Sequence, residues 1–238
     1  PDLASIMADQ PRLGTFYKND GFQLFPAPSS RRLVVAFTTV FNNFGVSNAV
    51  LYALLRRFDV SILILKDPTV YTYGCGVRGL GDDPEQLADA VSRLARDIGC
   101  TEIYVTGFSS GGYPSLLFSS LIECRGYLGF SVHTGSGFHG DPLLRRRVFN
   151  DAQNYLIRRN VAPRFQINLR DLFEGRRSEC NRVIVAGDRD DVDMAHARDV
   201  AHCPGFDLSV LENCGHDTIS SVIERGLMDG LLARLLRC

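Results

Sequence analysis

Gly107-Phe108-Ser109-Ser110-Gly111 sets a hydroxyl between glycines, with Gly112 directly behind. An apolar, strand-like stretch, Glu102 to Thr106, runs into it, and a helix-like stretch, Gly111 to Ile122, leads out. A G-x-S-x-G pattern in a strand–turn–helix setting is what a nucleophile elbow requires. The flanking glycines permit a strained turn and a close approach of helix to strand. A serine hydroxyl is a poor nucleophile without a base. With a histidine and a carboxylate it attacks acyl carbons and forms a covalent intermediate. The competing reading is a glycine-rich β–α turn without chemistry, or one that binds phosphate.

The base must come from five histidines: His133, His139, His196, His202 and His216. His216, in Asn213-Cys214-Gly215-His216-Asp217, follows an apolar strand-like run and precedes the last helical segment. His196 and His202 fall in a helical stretch and read as packed or solvated. His133 and His139 follow another strand-like run and are placed to line a pocket. Carboxylates crowd one segment, Gly187-Asp188-Arg189-Asp190-Asp191-Val192-Asp193, directly after Val183-Ile184-Val185-Ala186.

These groups depend on the elements that carry them. Thr15 to Tyr17 and Phe22 to Phe25 flank Asn19-Asp20-Gly21, a hairpin signal. Arg32–Phe37, Ser61–Leu65, Glu102–Thr106, Gly126–Val132, Arg182–Ala186 and Asp207–Leu211 are short apolar runs suited to strands buried on both faces. Ser47–Phe58, Pro84–Ile98, Gly111–Ile122 and Thr218–Leu236 have helical periodicity. Asp83, Pro84 and Gly99 mark the ends of the second of these. The alternation predicts an α/β fold: a mainly parallel central sheet, helices on both faces and an N-terminal antiparallel hairpin at its edge. One domain over residues 1–238 is expected.

From Leu33 to the C-terminus the chain resembles the α/β-hydrolase superfamily, on the elbow, the order of Ser109, Asp190 and His216, and the strand rhythm between them. The resemblance implies that fold and a triad of serine nucleophile, aspartate and histidine base. The family pattern G-x-x-D after the penultimate strand selects Asp190, with Asp193 as the alternative. It also implies two backbone N–H donors in an oxyanion hole. One belongs to Ser110, the other to the loop after the first central strand. Many relatives carry His-Gly in that loop; here Thr38-Thr39 stand there, and the N–H of either can serve because the hole needs amides rather than side chains. Residues 135–181 are expected as a small lid insertion. Their arginines (145–147, 158, 159, 164, 170, 176 and 177) read as solvated faces or as a cationic cover for an anionic acyl carrier. The Tyr71–Gly81 loop reads as a pocket wall or an ordinary tight loop. Asp193 to Ala197 and Asp217 faintly resemble hydrolase domains of glycan-assembly proteins.

Composition narrows the partners. Hydrophobic residues are 45%, charged residues 22%, and the net charge is -1, which gives no pull towards nucleic acid or a membrane surface. Lys18 and Lys66 are the only lysines. Seven scattered cysteines without a C-x-x-C pair argue against a disulfide framework or a zinc site and suit reduced thiols in the cytoplasm. No apolar run reaches the roughly 18 residues of a membrane span. The chain begins Pro1-Asp2-Leu3, as a processed product or a piece of a longer polypeptide would.

The expected activity is that of a serine hydrolase on a carboxylic ester or thioester, free or carrier-bound, without metal or organic cofactor. The alternatives are an acyltransferase using the same triad and a non-catalytic binding domain of the same shape.

Overall fold

A computed structural model describes residues 17–18, 20–67, 69, 71–135, 151–175 and 179–236. The strands are β1 (Tyr17–Lys18), β2 (Phe22–Phe25), β3 (Arg32–Phe37), β4 (Ser61–Leu65), β5 (Glu102–Phe108), β6 (Cys124–Phe130), β7 (Asn181–Gly187) and β8 (Phe206–Leu211). They form one sheet in the order β1-β2-β4-β3-β5-β6-β7-β8. β1 pairs antiparallel with β2, and β2 antiparallel with β4. Every other pairing is parallel. The expected hairpin edge is present, though Gly14 to Phe16 lie outside the described residues.

The unbroken apolar strands follow from burial on both faces. In β3, Leu33, Val35 and Phe37 enter one core layer, while Val34 and Ala36 enter the other. In β4, Leu63 and Leu65 face the first layer and Ile62 and Ile64 the second. The helices are α1 (Asn48–Leu55), α2 (Pro84–Asp97), α3 (Gly112–Leu121), α4 (Asp151–Asn160), α5 (Leu169–Phe173), α6 (Asp191–Ala201), α7 (Thr218–Glu224) and α8 (Met228–Leu236). α2, α3 and α6 cover the first face; α1, α7 and α8 cover the second. α2 starts as its sequence requires, with the Asp83 side chain accepting the Gln86 N–H and Pro84 in the first turn.

The closing segment, expected as one helix, is two. Gly226 takes φ 67 after α7. Its N–H donates to Ile223 O, and the Leu227 N–H donates to Val222 O. That pair of bonds closes a helix and turns the chain, so Thr218 to Leu236 cannot run straight. Between β6 and β7 the described part of the insertion holds α4, a 3-10 turn (Pro163–Phe165) and α5. Ile157, Val161, Phe165, Leu169 and Phe173 pack into the first core layer. No helix among the described residues is long and apolar enough to cross a membrane.

The parallel strands put the chemistry at one edge. Thr38 follows β3, Ser109 follows β5, His133 follows β6, Asp190 follows β7 and His216 follows β8. All therefore lie beyond the C-terminal ends of the strands, where open α/β sheets bind ligands.

Candidate active site

Ser109 directly follows β5 with φ 52, a left-handed conformation that costs an L-residue. The turn passes so close to its neighbours that side chains are excluded on either side of it. A Cβ on Gly107 would stand 2.0 Å from Ser115 Oγ, and one on Gly111 would stand 2.5 Å from Phe37 O. The glycines of the pattern are thus steric requirements. The turn presents the Ser109 hydroxyl, half-buried, with Oγ 2.8 Å from His216 Nε2.

His216 is held by its backbone. Ser131 Oγ donates to His216 O at 2.8 Å. The preceding loop is clamped to the end of β7, where the Cys214 N–H donates to Asp188 Oδ1 at 3.2 Å and the Arg189 N–H to Cys214 O at 2.9 Å. Asp188 thus ties the aspartate segment to the histidine loop. The Phe108 ring lies 5.6 Å from the imidazole, centroid to centroid.

The acid on His216 is Asp193, not Asp190. His216 Nδ1 lies 2.8 Å from Asp193 Oδ2 and 3.0 Å from Oδ1. The Asp190 side chain instead caps α6, with Oδ1 accepting the N–H groups of Val192 and Asp193 at 3.1 Å each. The correction has a physical cause. A helix start leaves N–H groups unsatisfied, and the aspartate just outside it is drawn to them. Asp193 lies within the first turn of α6 rather than ahead of it, and points inward with no exposure. Carboxylate and ring-nitrogen atoms of Asp190, Asp193 and His216 lie within 4.8 Å of one another, a spacing a cation could bridge. The donors are already engaged, however: Asp190 by backbone N–H groups, Asp193 by His216.

The predicted oxyanion donors also need correction. The Thr38 N–H donates to Leu65 O at 3.3 Å and the Thr39 N–H to Asn43 O at 2.7 Å. One amide is spent on the end of β4 and the other on the loop itself. The next amide, Val40, donates to Ser110 Oγ at 3.1 Å, directly beside the nucleophile turn. The sequence does not single out this amide, because nothing in the residue types says which N–H groups of the loop the neighbouring carbonyls will take. The corner is braced by Tyr73, whose hydroxyl lies 3.0 Å from both Thr38 O and Leu65 O and 3.1 Å from Thr38 Oγ1. Burial pushes this phenol well above the usual tyrosine range.

An apolar pocket opens beside Ser110. Phe37, Tyr113, Leu117 and Phe118 form its floor, the Tyr71–Gly74 turn one side, and Ile157, Val161 and Phe165 of the insertion another. Among the described residues no carboxylate, ammonium or guanidinium lines it. The Tyr113 hydroxyl ties α3 to the insertion, 2.9 Å from the carbonyls of Phe165 and Ile167 and accepting the Ile167 N–H at 3.1 Å. His133 lines this pocket too. His196 is buried in α6, His202 is exposed, and His139 lies outside the described residues. Of the insertion's arginines, 158 and 159 are exposed, Arg164 meets Glu85 at 3.0 Å, and Arg170 meets Asp199 at 3.5 Å. Arginines 145–147, 176 and 177 lie outside the described residues.

Solved structures share this architecture. An α/β-hydrolase enzyme, MGS-MChE2, from the metagenome of Mar Chica lagoon sediments in Morocco, superposes with a TM-score of 0.59 at 14% identity, over 94% of this chain and 96% of that one. This is the α/β-hydrolase fold. The thermophilic esterase Est2 of Thermogutta terrifontis, solved with butyrate bound, has a TM-score of 0.61 at 13% identity, over 91% and 89%. Carboxylesterases of the thaumarchaeon Nitrososphaera gargenis match at a TM-score of 0.55 and 15% identity, over 93% and 99%. No model of a protein family matches the chain, and no curated protein does. Within the α/β-hydrolase fold, the serine turn after β5 and the histidine loop after β8 meet above the sheet, as the sequence pattern anticipates.

Proposed function

We propose that this chain is a serine hydrolase that cleaves carboxylic esters with an apolar, uncharged acyl group through an acyl-enzyme on Ser109. The observation that carries the reading is the unbroken line of hydrogen bonds from Ser109 Oγ through His216 to Asp193. With Asp193 accepting the Nδ1 proton, Nε2 is left as the acceptor of the serine proton. Ser109 Oγ attacks the acyl carbon and His216 takes its proton. His216 then returns the proton to the leaving alkoxide, and water repeats the sequence to free the acid. The negative oxygen of each tetrahedral intermediate faces the N–H groups of Ser110 and Val40. For Val40 to serve, the Ser110 hydroxyl must rotate off it.

The pocket supports the acyl preference. Among the described residues its walls are largely apolar and include no carboxylate, ammonium or guanidinium. The paired Arg164 and Arg170 do not offer a free cationic cover.

The test is labelling with a fluorophosphonate, followed by peptide mass spectrometry, and turnover of p-nitrophenyl esters from acetate to octanoate. Labelling confined to Ser109, lost in Ser109→Ala together with turnover, is expected. A folded protein that neither labels nor turns over any ester would overturn the reading.

A further inference from the structure

Asp193 faces a second imidazole. His133 Nε2 stands 3.9 Å from Asp193 Oδ1, too far for a hydrogen bond and near enough for a strong charge interaction. His133 comes from the turn after β6, next to neither His216 nor Asp193 in sequence. Its side chain is 8% exposed and that of Asp193 0%, so water does little to screen one from the other. The three rings form a row. His133 lies 6.2 Å from His216 at an interplanar angle of 29°, and 4.8 Å from His196 at 37°.

The groups around His133 have different freedoms to take a proton. His196, from α6, accepts the Thr134 N–H on Nδ1 at 3.1 Å, which ties that nitrogen to the backbone. Behind it, Thr134 Oγ1 donates to Asp199, which also meets Arg170. Asp190 is engaged by the start of α6. Tyr113, from α3, shares the pocket, and burial pushes its phenol above the usual range. His216, from the loop before α7, has its role in proton transfer. Among the described residues, His133 is the remaining imidazole beside Asp193, a side-chain type whose charge changes near neutral pH.

We propose that His133 is a positioning residue of the triad, sharing the Asp193 carboxylate with His216, so that a proton on His133 draws that carboxylate away and switches the site off. The inference rests on the Ser109–His216–Asp193 reading. In the active state His133 is neutral and both Asp193 oxygens serve His216. A cation at His133 competes for the same oxygens and weakens the partner that holds the His216 tautomer. Two protonations then silence the enzyme on the acid side, one on each histidine.

The experiment is kcat/KM for p-nitrophenyl butyrate from acid to neutral pH, with fluorophosphonate labelling of Ser109, on wild type and His133→Gln. Wild type should show a two-proton acid limb and His133→Gln a one-proton limb, with a lower rate at neutral pH. A purely structural role would lower the rate and leave the limb's slope alone. Should His133→Gln fail to fold, histidine 15N NMR on wild type decides: the His216 Nδ1 proton should move in step with protonation of His133. A one-proton limb in wild type, or a His216 signal indifferent to His133, with Ser109 labelled, overturns this proposal alone. Loss of labelling in folded wild type overturns the triad and this proposal together.

Discussion

His216 directs Nδ1 at Asp193, 2.8 Å from one carboxylate oxygen and 3.0 Å from the other, so the acid stands on the first turn of α6. Asp190, three residues earlier, spends its side chain on the helix start. The two aspartates therefore have separable consequences. Asp193→Asn should lower kcat by about ten-thousand-fold, since the amide favours the wrong tautomer. Asp190→Asn should keep the rate within about threefold, because asparagine caps a helix nearly as well. Ester kinetics on both variants, with circular dichroism, decide between them.

The strained nucleophile predicts a trade between stability and turnover. Ser109 holds φ 52, which costs an L-residue about 1–2 kcal/mol. Ser109→Gly should abolish turnover and raise unfolding stability by about that amount. Urea denaturation alongside the ester assay tests it. A variant less stable than wild type would show that the turn is not strained.

The Ser110 hydroxyl occupies the Val40 N–H at 3.1 Å. Removing it should free the amide for the oxyanion without loss. Ser110→Ala is expected to match wild type or exceed it by up to about fivefold, the worth of one neutral hydrogen bond. A tenfold or greater fall in kcat would instead make the hydroxyl itself a donor to the oxyanion.

Gly74 meets the insertion at the pocket wall. A Cβ there would stand 2.5 Å from Val161 Cγ2 and 2.7 Å from Cγ1. Gly74→Ala should cost about 1–3 kcal/mol and shift preference to shorter acyl chains. Adding Val161→Ala should recover part of both losses, because the two sites share one contact. An acyl-length profile unmoved in all three proteins would place the acyl chain elsewhere.

Tyr73 braces the corner that carries Val40. Tyr73→Phe keeps the ring against Phe37, 4.9 Å away, and loses the hydroxyl's contacts with Thr38 and Leu65. A loss of about 1–2 kcal/mol is expected. Burial raises this phenol, so its protonated form is favoured by folding. That contribution is complete below the ordinary tyrosine value of about 10 and fades as pH climbs beyond it. Alkaline unfolding of Tyr73→Phe should accordingly be shallower than that of wild type.

Much of the architecture was legible because it rests on local rules. Arg32–Phe37 and Ser61–Leu65 are strands over the ranges their apolar runs mark, since burial on both faces leaves no polar position inside them. The closing helix was read too long although Arg225-Gly226 carried the stop signal. Periodicity on either side of the break matched, and only the left-handed glycine separates the two helices.

The sequence by itself determined the serine turn after β5 and the place of the histidine loop after β8. Ser109 must lie between glycines because helix and strand backbones pass too closely for any Cβ at Gly107 or Gly111. His216 follows the last strand of the parallel part of the sheet, whose C-terminal strand ends share one edge. Only the tertiary structure decided which carboxylate meets His216 and which second imidazole stands beside that carboxylate. Asp190 and Asp193 are chemically identical, and the choice between them is a competition between unsatisfied N–H groups at a helix start and a histidine from another loop. Leu65 and Asn43 claim the amides of Thr38 and Thr39, which leaves Val40, on the Ser110 hydroxyl, as the amide proposed for the oxyanion. His133 reaches Asp193 because β6 and β7 are neighbours in the sheet, a relation that no spacing along the chain encodes.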